Sequence, residues 1–550
     1  MKVRILSVFV LALAWGACAA TPAPIAAPVE EGSTVEATAF RGTTLVKLAA
    51  AATHYVRPDG GSAAQCTGLV DAPYPGSGTD QPCAWDHPFR ALQPSGEPDV
   101  TGTSRIAGGD TLIIASGSYP MGLGAPGAEN CDAGYPWDCH MPPVPSGPDS
   151  ARPTRILGAG WDVGCPNPPE LWGRERAGFI LNLTDVSNVE IACLEITDHS
   201  GCVEDHTGGL GCESESYPYG DWAADGLYAE DSANVRLSHL NIHGLAVAGV
   251  RAGRLTDWTV EDVRIAGNGW VGWEGDIEGD DANAGALTFR RWTVEWNGCG
   301  ETYPGGQPAG CWGQSAGGYG DGVGTGATRG DWIIEDSAFL HNTSDGLDLL
   351  YHTLGGSVTI RRTIAEGNAG DQIKTAGPTH AENVIAVSNC GFFYGKSFTH
   401  NVDHCRAGGS ALAFTFHPGD QATVVNATVT GEGDCLMIAE CVAESSAEGE
   451  SCDGSESILL RNDIFLGNPE FGGGGDTTCF AWTDLPGGLF AIDHAIIDDL
   501  KATPDPCPPD SLCGASPGLA DQNIDSFDAY LTAVSPAIDA GTTEGAPTDD

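Results

Sequence analysis

The sequence is poor in positive charge, in methionine and in long apolar runs. Lysine and arginine together number 25 against 74 aspartates and glutamates, which gives the 550-residue chain a formal charge of −49. So acidic a chain repels phosphate backbones and anionic lipid surfaces, and it is not expected to bind nucleic acid. After the first 15 residues no apolar run is long enough for a membrane-spanning helix. Only 4 methionines beside 77 glycines and 35 prolines exclude a mostly helical chain and favour one rich in turns.

Residues 1–19 have the parts of an export signal. The charged start Met1-Lys2-Val3-Arg4 precedes an apolar run from Ile5 to Trp15, and Ala17-Cys18-Ala19 supplies a small-residue cleavage site. Gly16-Ala17-Cys18 also resembles a bacterial lipoprotein signal, in which Cys18 would be lipidated. We therefore expect a secreted, extracellular protein, either free or anchored by lipid at a bacterial cell surface. Residues 20–52 are rich in Ala, Pro, Thr and Glu without periodicity and are expected to form a linker.

The cysteines predict disulfides. Of 19 cysteines, Cys18 belongs to the signal, and the even number that remains in an exported chain favours paired sulfurs. A zinc site would need C-x-x-C pairs, and the sequence has none. Close pairs suggest staples across long loops, namely Cys66/Cys83, Cys131/Cys139, Cys202/Cys212, Cys299/Cys311, Cys390/Cys405 and Cys507/Cys513.

An internal repeat organises residues 53–541. Short alternating strands lead to asparagines separated by 29, 45, 26 and 21 residues, at Asn268, Asn297, Asn342, Asn368 and Asn389. With one insertion, this is the period of a solenoid turn of about two dozen residues, whereas a propeller blade needs about 40–45. Asparagines that recur at one position suit a ladder in which amides bond from coil to coil. The segment from His54 and the segment Ser535–Gly541 also resemble the first and last segments of right-handed parallel β-helix proteins.

We therefore predict an all-β fold: a single-stranded, right-handed parallel β-helix with long disulfide-stapled loops over residues 53–541, followed by a tail at 542–550.

Aligning the coils on their asparagines places three tetrapeptides in register. These are Asp321-Gly322-Val323-Gly324, Asp345-Gly346-Leu347-Asp348 and Asp371-Gln372-Ile373-Lys374. Neighbouring strands lie about 4.8 Å apart, so the three leading aspartates should form a ladder. The third residue of each tetrapeptide should point into the core and the fourth outward, which sets Asp348 beside Lys374.

Stacked carboxylates destabilise a fold unless a cation neutralises them. Calcium accepts about six to eight oxygen ligands and tolerates irregular geometry, so the pattern predicts a Ca²⁺ site. Its expected ligands are Asp321, Asp345, Asp348 and Asp371. Lys374 is one of only five lysines in the chain. Because lysine, unlike arginine, can lose its proton when its pKa is depressed, Lys374 is the predicted general base.

The run from Asp321 through Asp345-Gly346-Leu347-Asp348 to Asp371-Gln372-Ile373-Lys374 resembles the calcium-and-lysine site of the family 9 polysaccharide lyases, the pectate lyase type. The resemblance implies a right-handed β-helix that cleaves a uronic-acid polymer by β-elimination, with Asp321, Asp345 and Asp348 as calcium ligands and Lys374 as base. Two departures stand out: Ser344-Asp345 replaces adjacent aspartates, and Asp371 replaces a neutral residue. Asp371 then adds a ligand, or it marks a structural site or a different substrate.

The expected partner is an acidic polysaccharide bound by a monomer. Arginines near the tetrapeptides are the expected docking groups for further carboxylates, namely Arg361, Arg362 and Arg406.

Three alternatives stay open. A polygalacturonase-type hydrolase shares the fold, but Gly279-Asp280-Asp281 and His243-Gly244 occur in the wrong order for it, and no Arg-x-Lys occurs. A different uronate lyase would use Lys396 as base. A non-catalytic surface β-helix would use calcium only to stiffen the stack and would present its acidic insertions at 202–225 and 435–456 for binding.

Overall fold

A computed structural model describes residues 50–96, 102–204, 212, 217–276, 282–304, 306–313, 319–441, 452–485 and 488–545. The predicted signal peptide with Cys18, nearly all of the predicted linker and residues 546–550 lie outside these ranges, so those predictions stay as they are. All elements below belong to the unit Ala51–Asp550. Among the described residues, no helix is long and apolar enough to cross a membrane.

Two long parallel sheets form the walls of the molecule. The first sheet has 23 strands: Thr53–Gly61, Thr111–Ile114, Ser118–Gly122, Thr154–Gly158, Glu170–Arg174, Ser187–Asp198, Ala233–His243, Thr256–Ala266, Ala284–Arg290, Thr293–Glu295, Gly330–Glu335, Ala338–Leu340, Gly356–Arg361, Ile364–Glu366, Thr379–Glu382, Ile385–Ser388, Gln421–Val425, Thr428–Gly431, Ser457–Arg461, Ile464–Gly467, Phe490–Asp493, Ile496–Asp498 and Leu512–Cys513. The second sheet has ten: Ala177–Asn182, Ala223–Glu230, Ala248–Gly253, Val271–Gly275, Val323–Thr325, Leu347–Leu349, Ile373–Ala376, Leu412–Phe416, Cys435–Cys441 and Cys479–Thr483.

The remaining elements belong to loops. A three-stranded sheet joins Cys299–Thr302, Gln307–Trp312 and Thr399–Asn401, and two two-stranded sheets pair Leu92–Gln93 with Thr103–Ser104 and Leu519–Asp521 with Asp528–Leu531. Five single turns of 3₁₀ helix lie at Pro88–Arg90, Pro136–Asp138, Trp161–Val163, Arg406–Gly408 and Ile524–Ser526.

In the central coils, each coil contributes two short strands to the first sheet and one to the second. The strand Gly330–Glu335 bends at Asp336, which has a φ of 52°, and continues as Ala338–Leu340 before the chain turns to Leu347–Leu349. One coil later these strands pair in parallel with Gly356–Arg361, Ile364–Glu366 and Ile373–Ala376. The right-handed parallel β-helix predicted from the repeat is confirmed.

The space between the sheets is filled with large side chains. Trp273, Trp292 and Trp332 are almost fully buried, and Phe289 stacks on Trp332 with ring centroids 5.3 Å apart. Aromatic rings bury large areas, so this column supplies much of the hydrophobic stabilisation of the central coils.

The asparagine ladder is confirmed over four coils. Asn268 donates its side-chain N–H to Asn297 Oδ1 at 2.9 Å, Asn297 to Asn342 at 2.9 Å, and Asn342 to Asn368 at 2.8 Å. The next step differs from the prediction. Asn368 donates to Gln372 Oε1 within its own turn, while Asn389 donates to the Ile524 carbonyl. Gln372 ends the ladder, because its Oε1 accepts the Asn368 hydrogen bond that a fifth asparagine would otherwise accept.

Glycines make room for this ladder. One glycine in each coil faces an asparagine amide, and a Cβ atom would lie 2.6–2.8 Å from that nitrogen at Gly249, Gly272, Gly322 and Gly346. A carbon atom and a nitrogen atom that are not bonded to each other do not approach this closely. The second residue of each tetrapeptide is therefore glycine until Gln372, where the ladder ends.

Nine disulfides join cysteines of the described ranges, and they include all six pairs suggested by close spacing. Sequence spacing did not suggest the other three, Cys165–Cys193, Cys435–Cys479 and Cys441–Cys452. The predicted long, disulfide-stapled loops are confirmed.

Candidate functional site

The three tetrapeptides lie in the register that the sequence predicts. In the second sheet Gly324 pairs with Asp348 and Asp348 pairs with Lys374. The third residue of each tetrapeptide is buried in the core, as expected for Val323, Leu347 and Ile373. Asp348 and Lys374 thus lie side by side on the outer face of the second sheet.

The leading aspartates form a ladder that also holds the backbone. The Asp345 N–H donates to Asp321 Oδ1 at 3.0 Å, and the Asp371 N–H donates to Asp345 Oδ1 at 2.7 Å. The Ser410 N–H and hydroxyl donate to Asp371 Oδ1 at 2.8 and 2.6 Å. In each of these carboxylates, Oδ1 accepts a hydrogen bond from a buried backbone N–H of the next coil. A buried donor needs such an acceptor.

The Oδ2 atoms of Asp345, Asp371 and Asp348 face Lys374. The Lys374 ammonium lies 3.2 Å from Asp345 Oδ2, 3.5 Å from Asp371 Oδ2 and 3.7 Å from Asp348 Oδ2. Burial alone would lower the pKa of Lys374, but the surrounding carboxylates, led by Asp345, raise it well above its ordinary value. In the absence of another cation Lys374 is therefore protonated and acts as the counterion of the ladder.

The carboxylates titrate differently from one another. Burial and the neighbouring Asp345 charge raise the pKa of Asp321 and of Asp371 to about 6. Burial raises the pKa of Asp348 well above its ordinary value. Burial would also raise the pKa of Asp345, but Lys374 and Arg406 hold it below its ordinary value. Asp345 is thus the carboxylate that keeps its charge over the widest pH range.

Of the three arginines expected to bind substrate, only Arg406 reaches the site. Its Nη1 donates to Ser344 Oγ at 3.0 Å and lies 3.9 Å from Asp345 Oδ2. Arg361 lies on the first sheet, 3.3 Å from Glu335, and Arg362 at the adjacent bend bonds Asp336 at 2.6 Å. The coil turns between their strand and the tetrapeptide, so the structure does not bring Arg361 and Arg362 to the aspartates but places them on the first sheet and at its bend.

The groups of the alternative mechanisms lie elsewhere. Lys396 lies over the Phe392 ring, with its Nζ 4.4 Å from the ring centroid. His243 bonds Glu301 through Nδ1 at 3.0 Å and Glu195 through Nε2 at 3.1 Å. Burial lowers the pKa of His243, but the two glutamates raise it overall to about 9. Gly279-Asp280-Asp281, the acids of the hydrolase alternative, lie outside the described residues.

The ladder has the donor atoms that calcium prefers. Four carboxylates face one ammonium and one guanidinium, so the group carries an excess of negative charge. No three of these carboxylate oxygens lie within 4.8 Å of one another; in the described ranges only Cys390, Cys405 and Glu432 provide such a trio, and those sulfurs are joined in a disulfide. The residues supply the oxygen ligands and the negative charge that calcium prefers, and in this structure the ammonium of Lys374 lies among the Oδ2 atoms of Asp345, Asp348 and Asp371.

A longer row of outward side chains passes through Lys374. Pairings along the second sheet align ten residues, of which Asn182 is the first. We call the other nine the Lys374 row: Tyr228, Arg251, Glu274, Gly324, Asp348, Lys374, Ala413, Ile438 and Trp482. The three tetrapeptides aligned on the asparagines predict only the central part of this row. A signal for the rest was present, because Asp225-Gly226-Leu227-Tyr228, Ala248-Gly249-Val250-Arg251 and Val271-Gly272-Trp273-Glu274 repeat the same pattern.

A second charged group lies on the same face. Arg251 lies 3.0 Å from Glu274 and 3.5 Å from Asp225. Burial raises the pKa of Asp225 to about 7. At Gly324, between this group and Asp348, an added Cβ would lie 3.0 Å from Asp321 Oδ2. The missing side chain leaves room beside that oxygen, although Asp321 itself is buried.

No protein-family model and no curated protein matches the chain. Among solved structures, a pectate lyase has a TM-score of 0.40 at 12% identity, over 90% of this chain and 93% of its own. A mannuronan C-5 epimerase module from Azotobacter vinelandii has a TM-score of 0.40 at 12% identity, over 70% and 88%. An alginate lyase from a Paenibacillus species has a TM-score of 0.31 at 14% identity, over 71% and 93%. These similarities concern the course of the chain and not its chemistry.

Proposed function

We propose that the protein is a calcium-dependent polysaccharide lyase that cleaves a uronic-acid-containing polymer by β-elimination. The observation that carries the proposal is the position of Lys374, an amine on the outer face of a rigid sheet, within 3.2–3.7 Å of three carboxylates. A lysine in an ordinary surface ion pair has a single carboxylate partner. The three stacked aspartates together with Asp348 instead form a group of four carboxylates, whose negative charge one lysine does not balance without a further cation.

The reaction needs a base next to C5 of a uronate. The Lys374 amine removes the C5 proton, the C5–H electron pair forms the C4=C5 double bond, and the C4–O bond breaks. The leaving oxygen takes a proton from solvent. Arg406, whose guanidinium lies 3.9 Å from Asp345, is placed to orient the carboxylate of the same sugar ring.

Calcium would be held by Asp321, Asp345, Asp348 and Asp371. There it would offset the negative charge with which these carboxylates raise the pKa of Lys374, and it would stabilise negative charge on the substrate carboxylate. The chain contributes a rigid frame for this. Since Oδ1 of Asp321, Asp345 and Asp371 bonds the next coil, their Oδ2 atoms keep fixed positions.

The test follows formation of unsaturated uronate by ultraviolet absorbance, with polygalacturonate, alginate and a glycosaminoglycan, in calcium and in chelator. We expect product only in calcium and none with Lys374→Met. Lys396→Met is the matched control and should keep full activity. Product from Lys374→Met at the wild-type rate would exclude Lys374 as base, and loss of product only in Lys396→Met would favour the alternative lyase.

A non-catalytic surface β-helix remains the second candidate. It is favoured by the Oδ1 bonds of the ladder, which stabilise the stack whether or not any reaction occurs. A protein that binds calcium and polymer but forms no unsaturated product on any of the three polymers would support this candidate.

A further inference from the structure

Beyond the reacting position, the Lys374 row is poor in cations that could bind a polymer carboxylate. Six carboxylates lie on or beside the row, at Asp225, Glu274, Asp321, Asp345, Asp348 and Asp371, against Arg251, Lys374 and Arg406. Each of these three cations is within 4 Å of at least one of the carboxylates. Among the described residues of the row, no cation is left over for a second uronate.

On the C-terminal side of Lys374 the row is apolar. The buried Ala413 and the partly exposed Ile438 follow on the next two strands, and Trp482 follows on the third. Three strand spacings put Trp482 roughly 14 Å from Lys374. Trp482 is 49% exposed, whereas Trp273 and Trp312 are buried. Within the described part of the chain no aromatic ring stacks on Trp482.

An exposed tryptophan on a flat sheet face suits the apolar face of a sugar ring. Sugars present C–H groups on one face and hydroxyls at the edge, so the ring can pack on an indole while its hydroxyls stay in water. A uronate in the same place would bring its carboxylate next to uncharged Ile438 and Trp482, on a face with excess negative charge.

On the N-terminal side, Arg251 is compensated by Glu274 and Asp225. A compensated guanidinium–carboxylate pair offers both donors and acceptors but no net positive charge. Hydroxyl groups of a neutral sugar match such a pair, and a carboxylate does not.

We propose that the polymer lies along the Lys374 row, across the strands, with one uronate at Lys374 and neutral sugar rings on both sides, one of them stacked on Trp482. This inference rests on the proposed function for its central position and goes further in naming the substrate class. The proposed substrate class is a polymer in which uronates alternate with uncharged sugars or are separated by several of them. A polymer with a carboxylate on every ring would be repelled from the flanking positions.

The experiment uses one backbone at several charge densities. Polygalacturonate with graded methyl esterification keeps the sugar constant and removes carboxylates. Binding is measured by affinity electrophoresis and cleavage by unsaturated product, at a fixed calcium concentration. We expect both to be strongest at intermediate esterification and to fall toward the fully charged polymer. The strongest binding to the fully charged polymer would overturn the inference.

Two variants test the flanking positions. Ile438→Lys adds a cation two strands from Lys374 and should shift the optimum toward the more charged polymer by at least about threefold in relative affinity. Trp482→Ala should weaken binding about two- to tenfold at every charge density. Trp137→Ala, which removes another exposed tryptophan, is the matched control and should bind normally.

The outcomes separate this inference from the proposed function. Binding with the expected charge preference but without any product would support the inference and contradict the lyase. Cleavage that is insensitive to Trp482→Ala and Ile438→Lys would support the lyase and contradict the inference. A wild-type protein that neither binds nor cleaves any member of the series would contradict both.

Discussion

Asp371→Asn tests the electrostatic account of Lys374 with almost no change of shape. Asparagine keeps Oδ1, so the bonds from the Ser410 N–H and hydroxyl at 2.8 and 2.6 Å remain possible. The substitution removes one of the three carboxylates around the ammonium, the one whose Oδ2 lies at 3.5 Å. Two unit charges this far apart attract by about 4–5 kcal/mol at an effective dielectric constant near 20, which is an upper limit on the change.

Removing that attraction makes the protonated form of Lys374 less stable, so its pKa falls. A larger fraction of free amine is then present at any given pH. We expect the rising limb of the pH dependence of kcat/KM, measured in saturating calcium, to move toward lower pH in Asp371→Asn. Calcium affinity, measured by titration calorimetry, should fall because one ligand charge is lost.

Asp331→Asn is the matched control. Asp331 is an exposed residue of the first sheet that accepts a bond from the Ser357 hydroxyl at 2.9 Å, far from the ladder in the coil. It should leave the pH profile and calcium affinity unchanged. An active Asp371→Asn protein with an unmoved rising limb would refute the assignment of that limb to Lys374. An unfolded Asp371→Asn protein would contradict the role given to Oδ1.

Other positions give further tests. His243 has a pKa raised to about 9 from its ordinary 6.5, so the stability it gives is present below about pH 6.5 and is lost as the pH rises through about 9. The protection of amides in the strand Cys299–Thr302, which carries its partner Glu301, against hydrogen exchange should therefore fall over that range relative to an unfolded chain at the same pH, and equal protection at both ends would contradict this. Gly346→Ala puts a Cβ 2.6 Å from the Asn368 amide and should destabilise the fold by about 1–3 kcal/mol in chemical denaturation, since a buried hydrogen bond is lost, while Gly134→Ala should be neutral. Arg406→Gln should raise KM for a uronate polymer and leave calcium affinity nearly unchanged, and an unaltered KM would remove Arg406 from the binding site.

The coil register could be predicted because it depends on short-range rules. Strand alternation fixes which residues of a tetrapeptide face the core, and the asparagine spacing fixes which tetrapeptides stack. These two rules placed Lys374 beside Asp348. Arg361 and Arg362 could not be placed in the same way, since the turn between the two sheets has no period of its own in the sequence.

The sequence by itself determined the solenoid, the stacked aspartates and most of the disulfides, because each follows from spacing along the chain. Only the tertiary structure decided the state of the charges. It showed that Oδ1 of Asp321, Asp345 and Asp371 accepts a hydrogen bond from the next coil and that Lys374 lies beside the Oδ2 atoms of Asp345, Asp348 and Asp371. It also showed that Trp482 lies in line with Lys374. These facts depend on distances between residues up to 108 positions apart, which no local pattern records.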